Sequence, residues 1–113
     1  MSDDIVESWQ DKIRSMSPSI SAGEYELIKC DADIKMLQAR LELQAAANGH
    51  KTINAQKNQA DNSDELYQAR LRLGVAKGAL AGLKIELKAL ETGFEEWRTK
   101  MVNMREEKKR YGA

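Results

Sequence analysis

Six heptads run through the C-terminal half of this chain without a gap. With Leu66 at position a, the a positions are Leu66, Leu73, Leu80, Leu87, Phe94 and Met101, and the d positions are Ala69, Ala76, Leu83, Leu90, Trp97 and Met104. A seven-residue apolar repeat of this length keeps one stripe of a helix facing a neighbour, which is the pattern of a left-handed coiled-coil seam. Asn62 and Glu65 have capping-box spacing, and Asp61 and Asp64 add negative charge where a helix dipole favours it. The repeat therefore predicts a helix over 63–110, about 70 Å long at 1.5 Å per residue. It fails only at Lys108.

The N-terminal half keeps the same phase, with Val6, Ile13, Ile20, Leu27, Ile34 and Leu41 at a and Trp9, Met16, Gly23, Cys30, Leu37 and Gln44 at d. Local signals divide it. Ser2 or Asp3 is a plausible cap for a short helix over 3–16, "SPSISAG" then brings Pro18 and Gly23, and Ser21 with Glu24 spells a second capping box. A second helix is expected over 22–47, stopping at Asn48 and Gly49. The segment 48–62 is amide-rich, with Ile53 as its single large apolar residue, and reads as a polar connection that contributes little core. The expected fold is a single all-α domain over 1–113. It is a long antiparallel coiled-coil helical hairpin, with short helix 1 and helix 2 packed end to end along long helix 3.

Facing layers follow from the antiparallel register. The best apolar match places Leu41 against Ala69, Leu37 against Leu73, Ile34 against Ala76 and Cys30 against Leu80, and, at the other end, Met16 against Phe94 and Trp9 against Met101. This register gives opposite charges along one edge (Asp3 with Arg105, Glu24 with Lys84, Asp31 with Lys77). Along the other edge the charges are alike (Lys12 with Lys100, Glu26 with Glu86, Arg40 with Arg72), which makes that edge a candidate contact surface. A slip of one heptad improves several charge pairs but matches the aromatic end less well. Exposed ion pairs are worth roughly 0 to 1 kcal/mol each, so the apolar layers decide the expectation.

Composition narrows the function classes. Eighteen basic residues balance eighteen acidic ones, so no global charge directs the chain to nucleic acid or an anionic surface. No apolar run approaches the roughly 20 residues that span a bilayer. A lone Cys30 and the absence of a signal-peptide pattern in "MSDDIVESWQ" point to a reducing cytoplasm, without an internal disulfide. No nucleophile with its base, phosphate loop or metal set stands out, so no enzyme activity and no cofactor are expected.

The residues left for function lie off the seam. Gly74, Gly78 and Gly82 recur every four residues inside a strong helix, although each costs about 1 kcal/mol relative to alanine. Around them sit Leu71, Val75 and Ile85, and the preceding helix adds Ile28, Met36 and Leu43. A two-helix hairpin would leave this apolar surface open, and small residues at such spacing let another backbone approach closely. The preferred reading is self-association into a homodimer with a four-helix-like bundle. Another protein partner and a locally bent helix are the alternatives. Cys30, at a seam position, reads as a small buried hydrophobe, and His50 has no second histidine to share a metal. Arg105, Lys108, Lys109, Arg110 and Tyr111 make a basic end that could meet phosphates and stack a base. Basic residues also end helices simply because the dipole favours them there.

The stretch "ALETGFEEWRTKMVNMREEKKRYG", with Phe94, Trp97, Arg98 and the "YG" at Tyr111, resembles the C-terminal end of small helical proteins encoded by tailed phages and prophages. The resemblance implies an accessory role in the host cytoplasm: modulating host machinery, countering a defence system, or assisting recombination or replication. It implies no catalytic residues.

Overall fold

The computed structural model describes residues 2–111, which form three helices: α1 (Ser2–Ala47), α2 (Ile53–Asp61) and α3 (Asp64–Tyr111). No strand occurs among the described residues. The architecture is the expected all-α helical hairpin, with α3 lying along the other two helices. The chain divides into two compact units, Ser21–Ala81 and a second made of residues 2–20 with 82–111.

Two expected boundaries are overturned. Residues 3–16 and 22–47 are not separate helices, because α1 runs unbroken through Pro18. Proline withdraws one intrahelical donor, at a cost of about 3 kcal/mol in a helix interior. Pro18 and Arg14 are both exposed, so the Arg14 carbonyl deprived of its donor has access to water. Ile13, Met16 and Ile20 keep their seam phase across the proline and are buried or half-buried on the opposite side. Packing along the seam thus outweighs the local break signal, and the Ser21/Glu24 spacing lies unused inside a helix.

The second correction is that the polar connection 48–62 contains α2. Thr52, in extended conformation, caps it by accepting the Ala55 N–H on Oγ1 at 3.1 Å. Small side chains do the packing: Ala60 is fully buried and Ala55 half-buried. Gln56 Nε2 donates to the His50 carbonyl at 2.9 Å, and Asp61 holds Arg70 at 3.0 Å. The stop of α1 is as expected. Gly49 has φ 101°, its N–H bonds the Ala46 carbonyl at 3.2 Å, and the His50 N–H reaches the Ala45 carbonyl at 3.0 Å, the paired bonds of a Schellman ending. At the start of α3 the cap is Ser63 rather than Asn62: the Tyr67 N–H bonds the Ser63 carbonyl at 3.1 Å, while Asn62 closes α2.

Within Ser21–Ala81 the buried cluster is Ile34, Leu66 and Ala69, with Leu37, Leu41 and Leu73 packed against it. Burial follows the heptads on both helices, with Cys30, Ala76 and Leu80 also buried at a or d. The register differs from the expected one. Ile34 packs with Ala69, seven residues before Ala76, and Arg40 forms an ion pair with Glu65 at 2.7 Å instead of opposing Arg72.

The unit of residues 2–20 and 82–111 shows the same one-heptad shift. Trp9 meets Phe94, with ring centroids 6.2 Å apart, where Met101 was expected. Phe94 stacks in turn with Trp97 at 6.3 Å. Gly93 makes the fit: a Cβ there would lie 3.0 Å from the Trp9 ring. The aromatic end is therefore well matched in the slipped register, because the indole lies against a glycine. The shift also explains why the seam stops early. Residues of α3 beyond about Met101 run past the first residues of α1, and Met104 is exposed despite its d position.

Candidate partner-binding surface

α3 is continuous through Gly74, Gly78 and Gly82. All three are exposed, and a Cβ at any of them would meet nothing within 4 Å. The hairpin thus accounts for Gly93, which accommodates the Trp9 ring, and gives no packing reason for the other three. At 100° per residue Tyr67, Leu71, Gly74 and Gly78 fall on the side of α3 opposite the seam, with Val75 at its flank. Tyr67, Leu71 and Val75 are all exposed, Val75 at 73%. In the other unit Gly82 and Ile85 are exposed, Ile85 at 70%.

The segment of α1 in Ser21–Ala81 carries a second stripe. Tyr25, Ile28, Met36 and Leu43 are 68 to 76% exposed, and Ala32 and Ala39 fill the intervening turns. These positions lie opposite the seam of α1, whose a and d residues are turned toward α3. Tyr25 and Tyr67 were missed in the sequence. The signal was present as a run of small and apolar residues at helical spacing on one outer face, overshadowed by the stronger heptad pattern.

The expected like-charged edge is corrected by the slip. Arg40 is neutralised by Glu65 at 2.7 Å; on the oppositely charged edge, Asp31 pairs with Lys35 on its own helix at 3.2 Å instead of with Lys77. That edge is no longer set apart as a contact surface.

At the C-terminal end, Arg105, Lys108 and Tyr111 line one shallow groove with Met101, Met104 and the carboxylate of Glu107. Lys109 and Arg110 are exposed but fall outside that groove, and Glu106 and Glu107 interleave with the cations. Gly112 of the "YG" pair lies outside the described residues.

Cys30 is buried, and its thiol donates to Glu26 Oε1 at 3.5 Å. Burial pushes its pKa above the ordinary value, the Glu26 and Asp33 carboxylates push in the same direction, and Arg72 opposes them. The thiol is therefore protonated at neutral pH, which suits packing and not nucleophilic chemistry. Among the described residues no group of three or more His, Cys, Asp or Glu could hold a metal ion, and no helix is long and apolar enough to cross a membrane.

Comparisons with protein-family models, curated proteins and solved structures gave no match.

Proposed function

We propose that this chain is a non-enzymatic interaction protein, a helical hairpin whose outer apolar stripes bind another macromolecule, with a second copy of the chain as the first such partner. The observation that carries this reading is the contrast among the glycines of α3. Gly93 has a ring against it, whereas Gly74 and Gly78 face open space beside exposed Leu71 and Val75, and in the other unit Gly82 is likewise open. Glycines that cost a helix stability and relieve no internal clash are explained by the close approach of something outside the hairpin. In keeping with the resemblance of its C-terminal sequence, the chain is an accessory factor of phage type that works in the host cytoplasm. There it modulates or blocks a host or phage macromolecule, such as a defence or replication component.

Light scattering tests self-association: the unaltered chain should give at least twice the monomer mass of 12.7 kDa, and Gly78→Leu should reduce it. Equal masses for the two proteins would remove the glycine stripe from the contact.

A second reading rests on the C-terminal groove, where Arg105 and Lys108 share a face with Tyr111. In this reading the chain is a nucleic-acid-binding accessory protein for recombination or replication, with cations on phosphate and the phenol ring on a base. Arg105→Gln and Lys108→Gln together should then weaken binding to single-stranded DNA and flatten its salt dependence. Binding insensitive to salt in the unaltered chain would remove this reading.

A further inference from the structure

The nine buried residues among those described divide unevenly between the two units. Eight lie in Ser21–Ala81, including Leu66 with no exposed surface, and Met16 alone lies in the unit of residues 2–20 and 82–111. The rest of that terminal unit's seam, from Val6 to Ile20 on α1 and from Leu83 to Met101 on α3, is only half-buried. Ion pairs follow the same division. Arg40–Glu65 and Arg70–Asp61 each join two helices of Ser21–Ala81, whereas Arg14–Asp11 and Arg98–Glu95 at the terminal end each stay within one helix.

Connectivity sets the order in which the units give way. Ser21–Ala81 is one continuous stretch of chain, but the two segments of the terminal unit are joined only through it. If the terminal unit opened first, the remaining unit would keep its short connections through α2. If Ser21–Ala81 opened first, the whole of it would become a loop that the terminal seam must hold closed, at a cost in entropy that grows with loop length. Both helices are also weak where they leave the terminal unit. α1 carries Pro18 there, with its missing donor, and α3 carries Gly82, which no neighbour supports.

We infer that residues 2–20 and 82–111 open together as a unit while Ser21–Ala81 stays folded. Pro18 and Gly82 are where the two helices release, and the Trp9 ring lying on Gly93 is the catch that holds the closed form. Opening exposes Trp9, Phe94 and Trp97, the aromatic part of the seam, reversibly and without global unfolding.

Both tryptophans lie in the terminal unit, so their emission follows it alone, whereas far-ultraviolet circular dichroism follows all three helices. At concentrations where the chain is monomeric, urea should shift the emission to the red at a lower midpoint than that of the main loss of helicity. Native-state hydrogen exchange should give the amides of residues 7–17 one shared protection factor, about tenfold or more below that of residues 30–41. Gly93→Leu, which displaces the Trp9 ring, should lower protection over 7–17 by about tenfold or more and leave 30–41 unchanged. Pro18→Ala, which restores the missing donor, should raise protection over 7–17. Coincident urea transitions with equal protection in the two segments would overturn the inference. So would protection that declines smoothly from the helix ends with no step near Pro18, which is ordinary fraying, or an equal loss in both segments on Gly93→Leu.

Discussion

Leu66→Ala should destabilise the protein by about 2 to 5 kcal/mol, the range for removing a buried leucine side chain whose surroundings collapse only partly. Leu66 has no exposed surface at all, and it packs in the cluster with Ile34 and Ala69 just after the start of α3. A domain of this size is held by roughly 5 to 15 kcal/mol in total, so the loss should move the urea midpoint a long way. Met36→Ala is the matched control. Met36 is 76% exposed, and surface substitutions of this kind usually change stability by about 0.5 kcal/mol or less. Similar losses for the two variants would mean that the seam does not hold the hairpin together.

The second large effect has the opposite sign. Changing Gly74, Gly78 and Gly82 together to alanine should stabilise the folded chain, because alanine exceeds glycine in a helix interior by about 1 kcal/mol. No neighbour opposes the added methyl groups. Each site contributes about 1 kcal/mol, so the triple variant should gain up to about 3 kcal/mol in urea unfolding at concentrations low enough to keep the chain monomeric. Gly93→Ala should not show the same gain, since its methyl group would press on the Trp9 ring. On the proposed function the triple variant should also associate more weakly, because three methyl groups raise the proposed contact surface. A gain in stability with no loss of association would leave the three glycines without a role in contact.

The seam was legible because burial itself imposes the period. Every a and d residue from Val6 to Leu41 and from Leu66 to Met101 is buried or half-buried. The register was not legible from the repeat, since a shift of seven residues places the same kinds of position opposite each other. What separates the two registers is a local fit, the Trp9 indole beside Gly93, reinforced by the Arg40–Glu65 pair. Phe94 and Trp97 invited matching by bulk, and that matching overlooked the glycine next to them. Pro18 misled in the other direction: a local break signal was given more weight than an apolar phase that never changes across it. α2 escaped notice because its packing uses Ala55 and Ala60, which stand out little among amides. For the candidate surface, the α3 glycines were legible because they lie off the seam. That the α1 stripe faces the opposite way became visible only once the two seams were seen to face each other.

The most direct measurement is sedimentation equilibrium of the unaltered chain over a wide concentration range. The weight-average mass should rise from 12.7 kDa to at least twice that value. A mass fixed at 12.7 kDa throughout would contradict the proposed self-association.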